Sequence, residues 1–252
     1  MVDTVGVTSK REKLFGDQAA SIELLWGAHA QPKRGPKPAL SLEQIVRTAI
    51  DIADTEGMAA VSMQRLADEL GFTKMAMYRY VPGKTELVAL MTDLAPGPPP
   101  DLASVPGGWR PQLREWGLRL FDALHAHPWV LAATIGLRVL GPNELGWTEA
   151  ALATLAGTRL DGAEQLDTIM LVSGHVRSLA QQTAPSPHST WGLTERQYTA
   201  AMAELVHDHP GNFPALTAVL AAATGSSKRE LGLEYGLDRI LDGLESHLAD
   251  HD

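Results

Sequence analysis

The chain has 252 residues, 44% of them apolar, and a formal net charge of −9 at pH 7. That apolar share supports a substantial core and excludes a wholly disordered chain, while the lack of cysteine excludes disulfides and thiolate chemistry. No apolar run approaches the roughly 20 residues that span a bilayer, and none follows Lys10, Arg11 and Lys13, so the reading is a cytoplasmic chain with no signal peptide and no membrane partner.

Period-two alternation of β-branched and aromatic residues is nearly absent, and the periodic segments fit a helical repeat, which predicts an all-α fold. Residues 1–40 read as a leader and basic arm. The leader is polar apart from an apolar island at Ile22 to Trp26, and it ends in a Pro-rich stretch that cannot be helical throughout. Lys33, Arg34 and Lys37 bring three cations there and no acid. They are either a solvated linker or an arm that enters a minor groove. Ser41 begins a helix, with Gln44 completing a capping box and Gly57 closing it. Further helices are expected from Ser62 to Gly71, from Thr73 to the Pro82-Gly83 step, and over 84–94. The run Ala95-Pro96-Gly97-Pro98-Pro99-Pro100 is the clearest punctuation in the chain. It divides a head over 41–95 from a body over 96–252. Body helices are expected at about 109–126, 128–135, 143–156, 161–183, 194–208, 213–223 and 228–249, where apolar spacing and Pro/Gly breaks agree.

The two short helices around Gly71 form a helix-turn-helix pattern, because that turn needs positive φ. Leu66, Leu70, Phe72, Met77 and Tyr80 are expected in the core, leaving Thr73, Lys74, Met75, Ala76, Tyr78 and Arg79 outside. In this motif the N-terminal end of the second helix enters the major groove. Lys74 or Arg79 suits guanine or phosphate, Met75 and Ala76 a thymine methyl, and Thr73, Tyr78 and Lys84 phosphates. The net negative charge does not oppose this, because DNA responds to local charge and residues 72–85 carry no acid. Acids crowd the C-terminal end at Glu230, Glu234, Asp238, Asp242, Glu245, Asp250 and Asp252.

The segment VSMQRLADELGFTKMAMYRYVPGKTELVALM resembles the N-terminal domain of TetR/AcrR transcriptional regulators. Its specific feature is Tyr78-Arg79-Tyr80-Val81-Pro82-Gly83-Lys84, followed by Glu86, Leu87 and Leu90. More loosely, Trp109, His127-Pro128-Trp129 and Glu234-Tyr235-Gly236-Leu237 are similar to the tetracycline-repressor type of C-terminal domain. The resemblance implies a three-helix helix-turn-helix head on a helical ligand-binding and dimerisation body. It implies a cytoplasmic homodimeric repressor that a small-molecule effector releases from double-stranded operator DNA, with no cofactor and no enzyme activity. It adds Gln64 and Tyr80 to the DNA-contacting positions. Met75 and Arg79 replace the proline and tryptophan of tetracycline repressors, so the operator sequence is not carried over.

In the body, Leu113, Trp116, Leu120 and Leu124 recur at helical spacing. The 161–183 and 228–249 segments are apolar on more than one side, as helices between a core and a partner subunit would be. Val172, Val176, Leu179, Leu233, Leu237, Ile240 and Leu244 are the expected dimer surface. The resemblance places an effector pocket among the helices after the linker. Its candidates are Trp116, Leu120, Leu124, Trp129, Ile135, Met170, Ser173 and, as polar groups, Arg138, His175 and Arg177. Ordinary core packing is the competing reading for the apolar members, and a surface ion pair for Arg138 and His175. The rival functional class is an all-α carrier or enzyme with a vestigial head, which requires converging titratable groups. His125 and His127, two apart on a helix, do not face each other. His207 and His209 have the same spacing, and no phosphate-binding glycine loop or nucleophile elbow occurs.

Overall fold

The structure, a computed structural model, describes residues 16–27, 40–183, 195–209, 211–223 and 232–249. These residues form a 3₁₀ turn and twelve α-helices with no strand among them. Lys33, Arg34 and Lys37 lie outside the described residues.

The head is built from three helices. Helix α2 (Leu42–Glu56) starts in the expected capping box: the Ser41 hydroxyl accepts from Gln44 N at 3.2 Å, and the Gln44 side chain accepts from Ser41 N at 2.9 Å. Its buried face, Ile45, Val46, Ala49, Ile52 and Ala53, packs on α3 (Met63–Leu70) and on α5 (Lys84–Leu94), the helix that leads to the body. Gly71 ends α3 at φ 72, and α4 (Lys74–Tyr78) follows. Helix α4 is shorter than the sequence predicts. After Tyr78 the N–H groups of Arg79 and Tyr80 bond three residues back, which tightens the turn before Pro82. Phe72, expected in the core, stands exposed beyond the left-handed turn, and Met77 is fully buried there.

One element was not predicted. The leader's apolar island is a helix, α1 (Ala19–Trp26), lying on α5 with Ile22 and Leu25 buried. The polar groups around it reach the body. Trp26 Nε1 donates to Leu140 O at 2.9 Å, and Gln18 Oε1 accepts from Val139 N at 2.7 Å.

Body helix α6 (Trp109–Ala126) is central, against α8 (Pro142–Leu155), α9 (Gly162–Thr183) and α12 (Gly232–Ala249). Short α7 (Trp129–Ala133) touches α5. Gly117 permits the close approach: a Cβ there would lie 3.0 Å from Leu237 and 3.5 Å from Val172. Arg110 pairs with Asp242 and Glu245, and Arg114 with Glu234 and Asp238, so α12 runs antiparallel to α6. His175 at Leu233 and His247 at Glu164 make α12 antiparallel to α9 as well. Helices α6 and α9 are therefore parallel. Four of the C-terminal acids are thus engaged by arginines of α6. Helices α10 (Glu195–Asp208) and α11 (Pro214–Ala223) pack on each other.

Candidate DNA-binding surface and effector site

The Thr73 hydroxyl caps α4 by accepting from Ala76 N at 3.3 Å. This fixes the start of the helix and leaves Thr73, Lys74, Tyr78 and Arg79 exposed, with Met75 74% exposed at the tip. Lys74 Nζ lies 5.9 Å from the Tyr78 ring, a cation–π arrangement that holds both on the outer side. Arg65 faces elsewhere, paired with Glu56 and Glu69, which raise its pKa above the ordinary arginine value. Among the described residues no acid pairs with Lys74, Arg79 or Lys84. Lys84 is exposed, its ammonium 3.5 Å from Met58 O. Gln64 is exposed and donates to Asp68 at 2.8 Å. Ala76 and Tyr80 are half-buried against the head core, which leaves Met75 as the main apolar group of the surface.

Head and body meet through carboxylates. Asp54 on α2 accepts from Trp129 Nε1 at 2.7 Å, with His127 Nδ1 2.9 Å away. Asp93 on α5 accepts from Asn143 N at 2.9 Å, Glu144 N at 3.0 Å and Asn143 Nδ2 at 3.1 Å, and so caps α8 from outside it. Burial pushes the Asp93 carboxyl above its ordinary value, against the N–H groups that hold it down. A cavity of about 440 Å³ lies beside this junction, lined by Leu24 and Leu25 of α1, Val46 of α2, and Leu90 and Asp93 of α5. None of the sequence candidates for the effector pocket lines it.

Those candidates separate into groups. Trp116 and Leu124 are buried, with the Trp116 indole donating to Trp147 O at 2.9 Å, and Trp129 is held by Asp54. Leu120 and Ser173 are half-buried, while Ile135 and Met170 are exposed. Of the polar candidates, Arg138 pairs with Glu144, and His175 bonds Leu233 O at 3.1 Å under Gly236. Arg177 donates Nη2 to Thr134 Oγ1 at 2.8 Å. Burial, and then the charge of Arg138, push its guanidinium below the ordinary arginine value.

The expected dimer surface needs correction. Val172, Val176, Leu233 and Leu237 are buried within the single chain, with Val172 and Leu237 against Gly117 of α6. Leu179, Ile240 and Leu244 are half-buried. The exposed apolar groups on α9 are instead Leu166 at 53%, Met170 at 70% and Leu171 at 58%, with Gly174 open beside them. Both sides of α9 carry aliphatics and periodicity alone does not say which faces inward; in the single chain it is the side with Val172 and Val176.

A short capped helix that turns cations outward, set on an all-helical body, defines a helix-turn-helix DNA-binding regulator. The family model described as "Bacterial regulatory proteins, tetR family" matches residues 45–91, and "Tetracyclin repressor-like, C-terminal domain" matches 102–248. The HTH-type transcriptional repressor DrrR1 of Streptomyces coeruleorubidus is 35% identical over 241 residues, covering 93% of this chain and 88% of that protein. An HTH-type transcriptional regulator of Saccharopolyspora erythraea is 28% identical over 190 residues, covering 75% of this chain and 78% of that one. Among solved structures, the Streptomyces coelicolor TetR family protein ActR in complex with actinorhodin is similar, with a TM-score of 0.68 and 28% identity over 84% of this chain and 99% of that one. The chain belongs to the TetR family of transcriptional regulators.

Proposed function

We propose that the protein is a homodimeric repressor whose two α4 helices hold operator DNA and whose body, on binding a small molecule, releases it. The observation that carries the reading is the outer surface of α4: Thr73, Lys74, Met75, Tyr78 and Arg79 all exposed, with no acid paired to the cations among the described residues. The repressor name of the Streptomyces coeruleorubidus relative and the actinorhodin complex of ActR support repression and a ligand. Residues 41–95 act as the DNA-binding domain, 96–252 as the effector-binding and dimerisation domain, and 1–40 as a leader with a basic arm. The second copy docks on the Leu166, Met170 and Leu171 face of α9, with Leu179, Ile240 and Leu244 at its margin.

Coupling follows from the contacts at the junction. Helix α5 belongs to the head core and also caps α8 through Asp93, and α2 is tied to the body through Asp54. A ligand that favours one arrangement of body helices therefore favours one spacing of the heads, and DNA affinity changes reciprocally. Gel shift of the purified protein on its own upstream region, followed by footprinting, tests this. A retarded complex over an inverted repeat is expected, and no complex at low salt overturns the reading.

A further inference from the structure

We propose that the cavity between α1, α2, α5 and α8 is a second small-molecule site, separate from the body's effector pocket, and that it takes an aliphatic amine in its protonated form. Binding there is independent of the repressor reading, whereas its effect on operator DNA rests on that reading.

The cavity holds about 440 Å³, within the roughly 300–1,000 Å³ of pockets that take small molecules. Its walls are aliphatic: Leu24 and Leu25 of α1, Val46 of α2, Leu90 of α5 and Pro142 of α8. Among the described residues no aromatic and no base lines it, and its charged members are both acids, Asp93 and Glu43. Such a lining repels an anion and favours a cation carried on an aliphatic body.

Asp93 is only 6% exposed, and among the described residues no lysine, arginine or histidine pairs with it. Its Oδ1 accepts from Asn143 N and Glu144 N, while Oδ2 accepts only from Asn143 Nδ2, which leaves Oδ2 a free lone pair. The start of α8 offsets about half a unit of charge. Glu144 adds charge of the same sign, and the nearby Arg138 is already engaged by that residue. A buried carboxylate in this setting gains from a cation that brings its own donors. Asn143, with Nδ2 turned to Asp93, keeps Oδ1 as a second acceptor. Glu43 is exposed, and both of its bonds from Arg47 fall on Oε1. An ammonium has three donors to set against these acceptors.

The walls come from three parts of the chain. Helix α1 is held to the body at Leu140 and Val139, α2 and α5 form the head, and α8 belongs to the body. A molecule seated among them binds one arrangement of head and body better than another, and so changes operator affinity.

The probes are 1-adamantylmethylamine and its neutral counterpart 1-adamantylmethanol, titrated calorimetrically into the full-length protein at neutral pH. The wild type is expected to prefer the amine by about tenfold, as a charge-assisted pair out of bulk water should. Asp93→Asn keeps a side chain that can cap α8 and is expected to bind both probes alike. Leu24→Trp fills the cavity from α1 and is expected to lose both; it carries the test if the asparagine variant does not fold. Equal binding of the probes by the wild type, binding of neither, or binding unchanged in Leu24→Trp overturns the inference. In operator gel shifts the amine is expected to move the wild-type midpoint by about fivefold or more, and not that of Leu24→Trp. A midpoint that stays put overturns the regulatory effect. Wild type that binds no operator removes the repressor reading and leaves the calorimetric result to decide the amine site.

Discussion

Asp93 caps α8 from a buried position, and this makes the cap responsive to acid. Its carboxyl holds its proton more tightly in the folded chain than in the unfolded one, since burial raises its pKa from 3.8. Over the interval above 3.8 the native state binds more protons, so this group's contribution to stability is full below that value and is lost as pH rises through the folded pKa. Asp93→Asn is expected to remove that segment of the pH profile, read as the difference in urea midpoint between variant and wild type from acid to neutral pH. Gly141 is the partner of this arrangement. A Cβ at 141 would overlap the Asp93 carboxylate, and Gly141→Ala should cost about 1–3 kcal/mol in urea unfolding. On the DNA side, Lys74 is exposed and has no acid partner among the described residues. If it meets a phosphate, Lys74→Ala weakens operator binding at every sequence and lowers the log–log salt slope by about 1 in gel-shift titrations.

Among the elements, α1 has the least obvious role in the sequence and a definite place in the structure. Ile22 and Leu25 each bury an aliphatic side chain on α5, a contribution of about 1.5–3 kcal/mol apiece. The double variant Ile22→Asp, Leu25→Asp should release α1 and lower the thermal midpoint measured by circular dichroism, with the helices of the head core retained. Helix α1 was legible in principle, because Ile22, Leu25 and Trp26 stand at helical spacing. Eight residues give a weak periodic signal, and nothing local says that the partner is more than 60 residues away. The remaining helices could be read because their ends carry strong chemistry: Ser41 with Gln44, Ser62, Thr73, Gly57 and Gly71 all stand where caps form. The outward side of α4 was legible for the same reason, since its cap fixes which residues follow. The effector candidates were not separable in sequence. Trp116 and Ile135 look alike as apolar residues, and only tertiary packing buries one and exposes the other.

For the whole molecule, the proposed dimer has to hold its two heads about 34–36 Å apart to meet successive major grooves, which would make dimerisation and DNA binding one property. Met170→Glu and Leu171→Glu place charge on the exposed face of α9 proposed for the second copy. Together they should shift the sedimentation coefficient from dimer to monomer at micromolar concentration, and cooperative operator binding should go with it. A dimer that persists would move the interface elsewhere. The contact between Asp54 and the Trp129 indole also gives the protein an optical gauge of its own. An indole whose N–H faces a carboxylate changes emission when that neighbour withdraws. The fluorescence of this one tryptophan, with the others replaced by phenylalanine, would therefore report the angle between head and body in real time, without an attached dye.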